Sequence, residues 1–262
     1  GNKMNLWGEI MPFENKESDF VPQITEYPAS SKGAIVVFAG GGYGHKAEHE
    51  GPVIGEWLQS IGMTAFVVDY RVAPEYHHPA IICDGQRAVR YARSRAAEMG
   101  FDKDKIAVMG FSAGGHLAGS VSVHWDKKFY DETDAIDKES PRPDASILCY
   151  PVIDMYEYRH DGSRWNLIGE HPLDADKKFM SLYMHVTKDT PQAFIWHTAS
   201  DQAVPIENSL LYADALAKVQ VPFEMHIYPI GRHGLGLAPE VPHVAQWANS
   251  LEKWLELIGF KG

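Results

Sequence analysis

The 262-residue chain is 45% hydrophobic and 23% charged, enough to bury roughly three quarters of its unfolded surface in a single large domain covering residues 1–262. Its 24 Lys and Arg against 35 Asp and Glu give a formal charge of −11, which repels phosphate backbones and anionic membrane surfaces and makes nucleic acid an unexpected partner. That charge makes a neutral or cationic small molecule the expected ligand; no apolar stretch approaches the roughly 18 residues that span a bilayer, and no repeat or low-complexity tract occurs.

In chain order, the pattern predicts a strand over 34–38, a helix over 52–60, a strand over 64–68, a helix over 79–99, a strand over 105–109 and a helix over 113–124. Strands over 145–149 and 193–197 follow, then a helix over 205–218, a strand over 223–228 and a helix over 241–258. The strand segments are short continuous runs rich in Val, Ile and Phe, which suit burial on both faces. The last helix places Val244, Trp247, Ala248, Leu251, Trp254, Leu255 and Ile258 in one helical stripe, with Gly259 as its C-cap. Strand alternating with helix implies an α/β fold, with a mostly parallel central sheet covered by helices on both faces.

Residues 151–191 break that rhythm with mixed polarity, several aromatics and at most one short helix around 174–185. So long a structureless interval is unusual inside a compact domain, and a small cap inserted over the sheet edge is expected. Cys83 and Cys149 sit in apolar segments without C-x-x-C spacing and read as small core residues, not as a disulfide or a zinc site. The chain opens at Gly1 instead of methionine, as processing or cloning would leave it. The compartment is therefore open: cytoplasmic, or periplasmic or secreted if a signal peptide was removed.

Gly110-Phe111-Ser112-Ala113-Gly114 matches G-x-S-x-G. With 15 serines and 23 glycines in the chain, chance would give about 0.1 such matches. Its context is more telling, because the motif follows a strand and opens a helix, the sharp turn that presents a serine hydroxyl above a sheet. A serine needs a base, and the base an orienting carboxylate. Among 13 histidines, His233 stands out in the loop Gly231-Arg232-His233-Gly234, between the last strand and the last helix. His116 lies one turn beyond Ser112 on the same helix and reads as a packing or hydrogen-bonding residue. Asp201, in the loop after the strand at 193–197, is the expected carboxylate, and Asp154, after the preceding strand, is its rival. Backbone N–H groups of Gly41 and Gly42, in the loop Ala39-Gly40-Gly41-Gly42-Tyr43, together with that of Ala113, are the expected oxyanion donors.

The same loop carries a decoy. Gly42-Tyr43-Gly44-His45-Lys46-Ala47 matches a dinucleotide-binding fingerprint, with Asp69 at the end of the next strand, yet the helix opens only at Gly51-Pro52. A nucleotide cofactor is not expected. His45, Glu48, His49, Glu50 and Asp69 invite a metal reading, but the surrounding glycines favour a loop over the helix that would align such ligands, and no metal requirement is expected.

Several strings together resemble acetyl xylan esterase-like carbohydrate esterases of the α/β-hydrolase superfamily. They include Leu6-Trp7 with Met11-Pro12, Gly40 to Tyr43 with His49-Glu50-Gly51, Asp69 to Pro74, Gly110 to Ala118, Tyr150 to Ile153, His197 to Ala199 with Val204-Pro205, and His233 to Leu237. The resemblance implies the α/β-hydrolase fold and a serine esterase without metal that removes acetyl groups from xylan, xylo-oligosaccharides or related sugars, with Ser112, Asp201 and His233 as its triad. Ala39 departs from the histidine or proline of many relatives, and the interval after Met155 carries no diagnostic string, so substrate choice is expected to reside there. Trp165 and Tyr43 are candidate stacking surfaces for a sugar ring. Two alternatives share the catalytic parts: a broad short-chain carboxylesterase and a kynurenine formamidase-like hydrolase. A catalytically silent hydrolase-like binding protein is a third reading. The oligomeric state is left open.

Overall fold

The structure is a computed structural model describing residues 1–262. One eight-stranded sheet runs through it: β1 (Asn2–Asn5), β2 (Gln23–Tyr27), β3 (Ala34–Phe38), β4 (Thr64–Asp69), β5 (Ile106–Phe111), β6 (Ala145–Cys149), β7 (Gln192–Thr198) and β8 (Phe223–Tyr228). Their spatial order is β1-β2-β4-β3-β5-β6-β7-β8. β2 pairs antiparallel with β1 and β4, and all other pairings are parallel. β3, β5 and β6 are buried along their whole length, as continuous apolar runs between two helical layers must be.

The helices are α1 (Pro52–Ser60), α2 (Ala80–Ser94), α3 (Ala96–Met99), α4 (Ala113–Val123), α5 (Asp161–Ile168), α6 (Asp174–Met180), α7 (Glu207–Lys218) and α8 (Pro242–Leu257). The helix expected over 79–99 is two helices joined at Arg95, whose guanidinium is held by Glu26 on β2 at 2.7 Å. Alternate strand residues divide the core. Val36, Phe38, Val108 and Leu148 face α2, α4 and α7, while Ile35, Val37, Met109 and Ile147 face α1 and α8. The stripe expected on α8 buries Val244, Trp247, Leu251, Trp254 and Leu255.

The interval 151–191 holds α5, α6 and a 3₁₀ turn (Leu182–His185), more helix than its composition predicts. It packs on α4 through two histidines: His116 Nε2 donates to Met180 O at 2.8 Å and His124 Nε2 to Phe179 O at 2.7 Å. Gly41 and Gly42, Ser112, Asp201 and His233 follow the carboxyl ends of β3, β5, β7 and β8, where open α/β sheets collect their sites.

Candidate active site

Ser112 sits between β5 and α4 with φ 58° and ψ −116°, in the left-handed region that a non-glycine residue adopts only under constraint. Its neighbours make the turn possible. A Cβ on Gly110 would lie 1.9 Å from Gly114 O, and one on Gly114 would lie 2.1 Å from Phe38 O, so neither position admits a side chain. Backbone bonds from Ser112 N to Cys149 O (3.0 Å) and from Val152 N to Ser112 O (3.1 Å) hold the turn against the neighbouring strand. The serine is 6% exposed.

The loop after β8 brings His233 Nε2 to 2.7 Å from Ser112 Oγ. The loop after β7 brings Asp201 Oδ2 to 2.7 Å from His233 Nδ1. With Nδ1–H donating to the carboxylate, Nε2 is left to accept the serine proton. Asp201 Oδ1 accepts the N–H groups of Ala203 and Val204, both at 2.9 Å. Buried His197 donates Nε2–H to Val204 O at 2.9 Å and approaches Asp201 Oδ2 at 3.4 Å. Burial pushes the Asp201 carboxyl up, but His197, His233 and the Val204 N–H outweigh it and hold the group well below the usual carboxylate range. An ionised acceptor for the His233 ring is thereby secured.

Gly41 and Gly42 follow β3, and their N–H groups donate to no acceptor within the chain. Ala113 opens α4, where helix geometry leaves N–H groups without an intrahelical partner. Gly41, Gly42 and Ala113 follow β3 and β5, which are neighbours in the sheet. The loop is pinned at Gly40, whose N–H donates to Glu50 Oε1 at 3.0 Å, and at Gly42, whose carbonyl accepts from Asn166 Nδ2 at 2.9 Å. His160 caps α5 beside Gly42: its Nδ1 accepts Ser163 N–H at 3.1 Å, leaving Nε2 as its free nitrogen. Burial, then the nearby His233, lowers the His160 pKa.

Other candidates go elsewhere. Tyr43 is 1% exposed, its hydroxyl donating to His116 Nδ1 at 2.8 Å, so it offers no face to a sugar and the stacking role expected for it is corrected. The tyrosine fills the space between the loop and α4 instead. Trp165 is 55% exposed on α5, next to Asn166. Asp154 is buried and accepts Tyr158 N–H at 2.9 Å, with no bond to His233. The five residues of the metal reading diverge: Asp69 pairs with Lys46 at 3.0 Å, His49 Nε2 donates to Gly234 O at 2.7 Å, and Glu50 points inward to Gly40, in a short 3₁₀ turn (Glu48–Glu50) instead of a loop. The helix after the decoy fingerprint starts at Pro52, five residues beyond Ala47. Sequence reasoning missed Tyr150, His160, His197 and Asn166 as site residues. No spacing rule marks them; only the position of Tyr150 and His197 at strand ends could have drawn notice.

Residues 23–216 match the family model described as BD-FAE. The chain is 36% identical over 242 residues to endo-1,4-beta-xylanase B of Butyrivibrio fibrisolvens, a match covering 89% of this chain and 38% of that protein. It is 32% identical over 232 residues to an acetylxylan esterase of Xylanibacter ruminicola, covering 86% of this chain and 45% of the relative. The chain thus spans less than half the length of these curated relatives. The crystal structure of an acetyl ester-xyloside bifunctional hydrolase from Caldicellulosiruptor lactoaceticus superposes with a TM-score of 0.95 at 45% identity, covering 100% of this chain and 98% of the other. With a serine turn on a mostly parallel sheet and a family match over most of its length, the chain belongs to the BD-FAE family and is an acetyl xylan esterase-like α/β hydrolase.

Proposed function

We propose that the chain is a serine carboxylic-ester hydrolase that removes acetyl groups from acetylated xylan, xylo-oligosaccharides or related sugars. The observation that carries this reading is the in-line series Ser112 Oγ, His233 Nε2, His233 Nδ1, Asp201 Oδ2, with both hydrogen bonds at 2.7 Å. Ser112 Oγ attacks the acetyl carbonyl as its proton passes to His233 Nε2, and Asp201 holds the imidazolium that forms. N–H groups of Gly41, Gly42 and Ala113 take the negative charge on the carbonyl oxygen. Collapse breaks the ester bond, and the Nε2 proton leaves with the sugar hydroxyl. Water, deprotonated by His233, then attacks the acetyl-serine, and acetate departs as Ser112 recovers its proton. No step in this scheme requires a cofactor.

The setting supports a sugar ester. The His233 side chain is 22% exposed, so an acetyl group projecting from a larger molecule reaches the serine from the surface. Residues 151–191 act in this reading as a cap that sets substrate choice, with Trp165 exposed within it. The formal charge of −11 favours release of an anionic product.

Acetate release from acetylated xylo-oligosaccharides and xylan, compared with an aryl acetate and with N-formylkynurenine, tests the proposal. The acetylated sugars are expected to be turned over, and Ser112→Ala and His233→Ala to lose at least about ten-thousandfold in kcat while remaining folded. Turnover of aryl acetate alone would reassign the chain to the broad short-chain esterases, and of the formamide alone to the formamidases. An organophosphate that fails to label Ser112 would leave only a binding role.

A further inference from the structure

A chain of buried hydrogen bonds joins the oxyanion loop to the His233 loop, and the acyl-transfer scheme leaves it without a role. Glu50 is 3% exposed; its Oε1 accepts Gly40 N–H at 3.0 Å and its Oε2 accepts the Tyr150 hydroxyl proton at 2.5 Å. The Tyr150 oxygen in turn accepts Gly236 N–H at 2.8 Å. The Tyr150 ring meets the His233 ring edge to face, with centroids 5.1 Å apart and planes at 73°. On the same turn as Glu50, His49 Nε2 donates to Gly234 O at 2.7 Å. The Glu48–Glu50 turn therefore grips Gly40, immediately before the oxyanion donors, and Gly234 and Gly236, immediately after the base.

A carboxylate buried this deeply is costly unless its hydrogen bonds are complete. The sole ion pair of Glu50 is with His49, whose Nε2 lies 3.8 Å from Oε2 and whose side chain is 51% exposed. The carboxylate is instead satisfied by Gly40 N–H of the oxyanion loop and by the hydroxyl of Tyr150, a residue just after β6 that relays the contact to Gly236 N–H of the His233 loop. Those loops leave β3 and β8, strands separated in the sheet by β5, β6 and β7. Nothing in the sheet pairing itself fixes the distance between them. The transition state, however, needs oxyanion donors and imidazole at fixed positions around one carbon atom, whereas ground-state binding of the ester does not.

We propose that Glu50 and Tyr150 are positioning residues that set the spacing between the oxyanion N–H groups and His233; this rests on the serine-esterase reading above. Tyr150→Phe keeps the ring against His233 and removes only the hydroxyl. Glu50→Gln keeps an acceptor for Gly40 but leaves Tyr150 facing an amide N–H₂, so the hydroxyl loses its acceptor. Each variant should lower kcat by about tenfold or more with KM held within about twofold. The rate at which an organophosphate labels Ser112 should fall in parallel, since that reaction uses the same base and oxyanion donors without a sugar. The double variant should be no slower than the slower single variant, because the two residues act as one tie.

Wild-type turnover of an aryl acetate, lost in Ser112→Ala, tests the reading of the site separately. Given that turnover, a Tyr150→Phe enzyme with kcat within about twofold of wild type overturns the positioning role. A loss confined to KM, or losses that multiply in the double variant, overturn it equally. Circular dichroism melts of Tyr150→Phe keep the outcome readable if Glu50→Gln folds poorly.

Discussion

Asp201 shows how one side chain can be committed to a charge state by its surroundings. Three donors converge on it, the His233 ring and the N–H groups of Ala203 and Val204, with His197 Nε2 at a longer 3.4 Å. An amide in its place would present an N–H₂ to His233 and turn the ring to the wrong tautomer. Asp201→Asn should therefore lower kcat by about 10³- to 10⁴-fold. Asp154→Asn, which disturbs contacts to Tyr158, Ser181 and Tyr183 and none to His233, should retain near-normal turnover. Steady-state kinetics on an aryl acetate checks both, and the reverse ranking would exchange the two roles. At the same scale, His160 presents a neutral ring beside Gly42 with one nitrogen uncommitted. If the sugar alcohol passes there, His160→Ala should raise KM several-fold for acetylated xylo-oligosaccharide but not for an aryl acetate, as paired kinetics would reveal.

Among the elements, α6 is held by carbonyls at its C-terminal end. Met180 O accepts from His116 and Phe179 O from His124, whose ring stacks on Phe179 at a centroid distance of 3.9 Å and a plane angle of 4°. His78 packs against Phe179 and Phe129 nearby. Burial lowers the pKa of each of the three histidines to about 4. An unfolded histidine binds its proton near pH 6.5, so the folded state is at full strength above about that value and weakens as the pH falls from there toward about 4. The unfolding free energy read from urea melts should drop between pH 7 and pH 5, by at most about 1.4 kcal/mol per pH unit for each histidine. His124→Gln retains a donor for Phe179 without titrating and should flatten that slope; Lys127 and His185, which also face His124, are unchanged in the comparison.

This part of the molecule is also where the sequence was least legible. The parallel strands announce themselves because burial on both faces demands continuous apolar runs, and the serine turn because Gly110 and Gly114 are crowded by backbone. β1 escaped because all four of its residues are exposed, and β2 because it alternates and buries a charged residue, Glu26. α5 buries only Ser163 and Leu167, too few for a periodic stripe. Tyr43 shows the limit for single residues: an aromatic in a loop can equally be a platform or a buried strut, and only its hydrogen bond to His116 decides.

Across the whole molecule, buried ion-paired arginines staple the amino-terminal segment, Arg87 through Leu6 O at 2.8 Å and Arg71 through its pair with Asp84 on α2. Arg71 and Asp84, both fully buried, meet at 2.8 Å; Asp84 also accepts from Trp7 Nε1 at 2.7 Å, and Arg71 donates to Pro12 O at 2.6 Å. Asp84→Asn would leave a buried guanidinium without its counter-charge and should cost about 3–5 kcal/mol. A thermal melt should fall by about ten degrees, accompanied by earlier proteolysis within residues 1–22. The left-handed serine has a global consequence of the opposite sign. Every backbone bond around position 112 survives in glycine, which adopts that conformation without steric penalty. Ser112→Gly should therefore be more stable than the native chain by about 1 kcal/mol while hydrolysing nothing, as calorimetry beside a turnover assay would show. A population of variants screened for heat survival alone would discard the nucleophile first, so the serine persists only under selection for turnover.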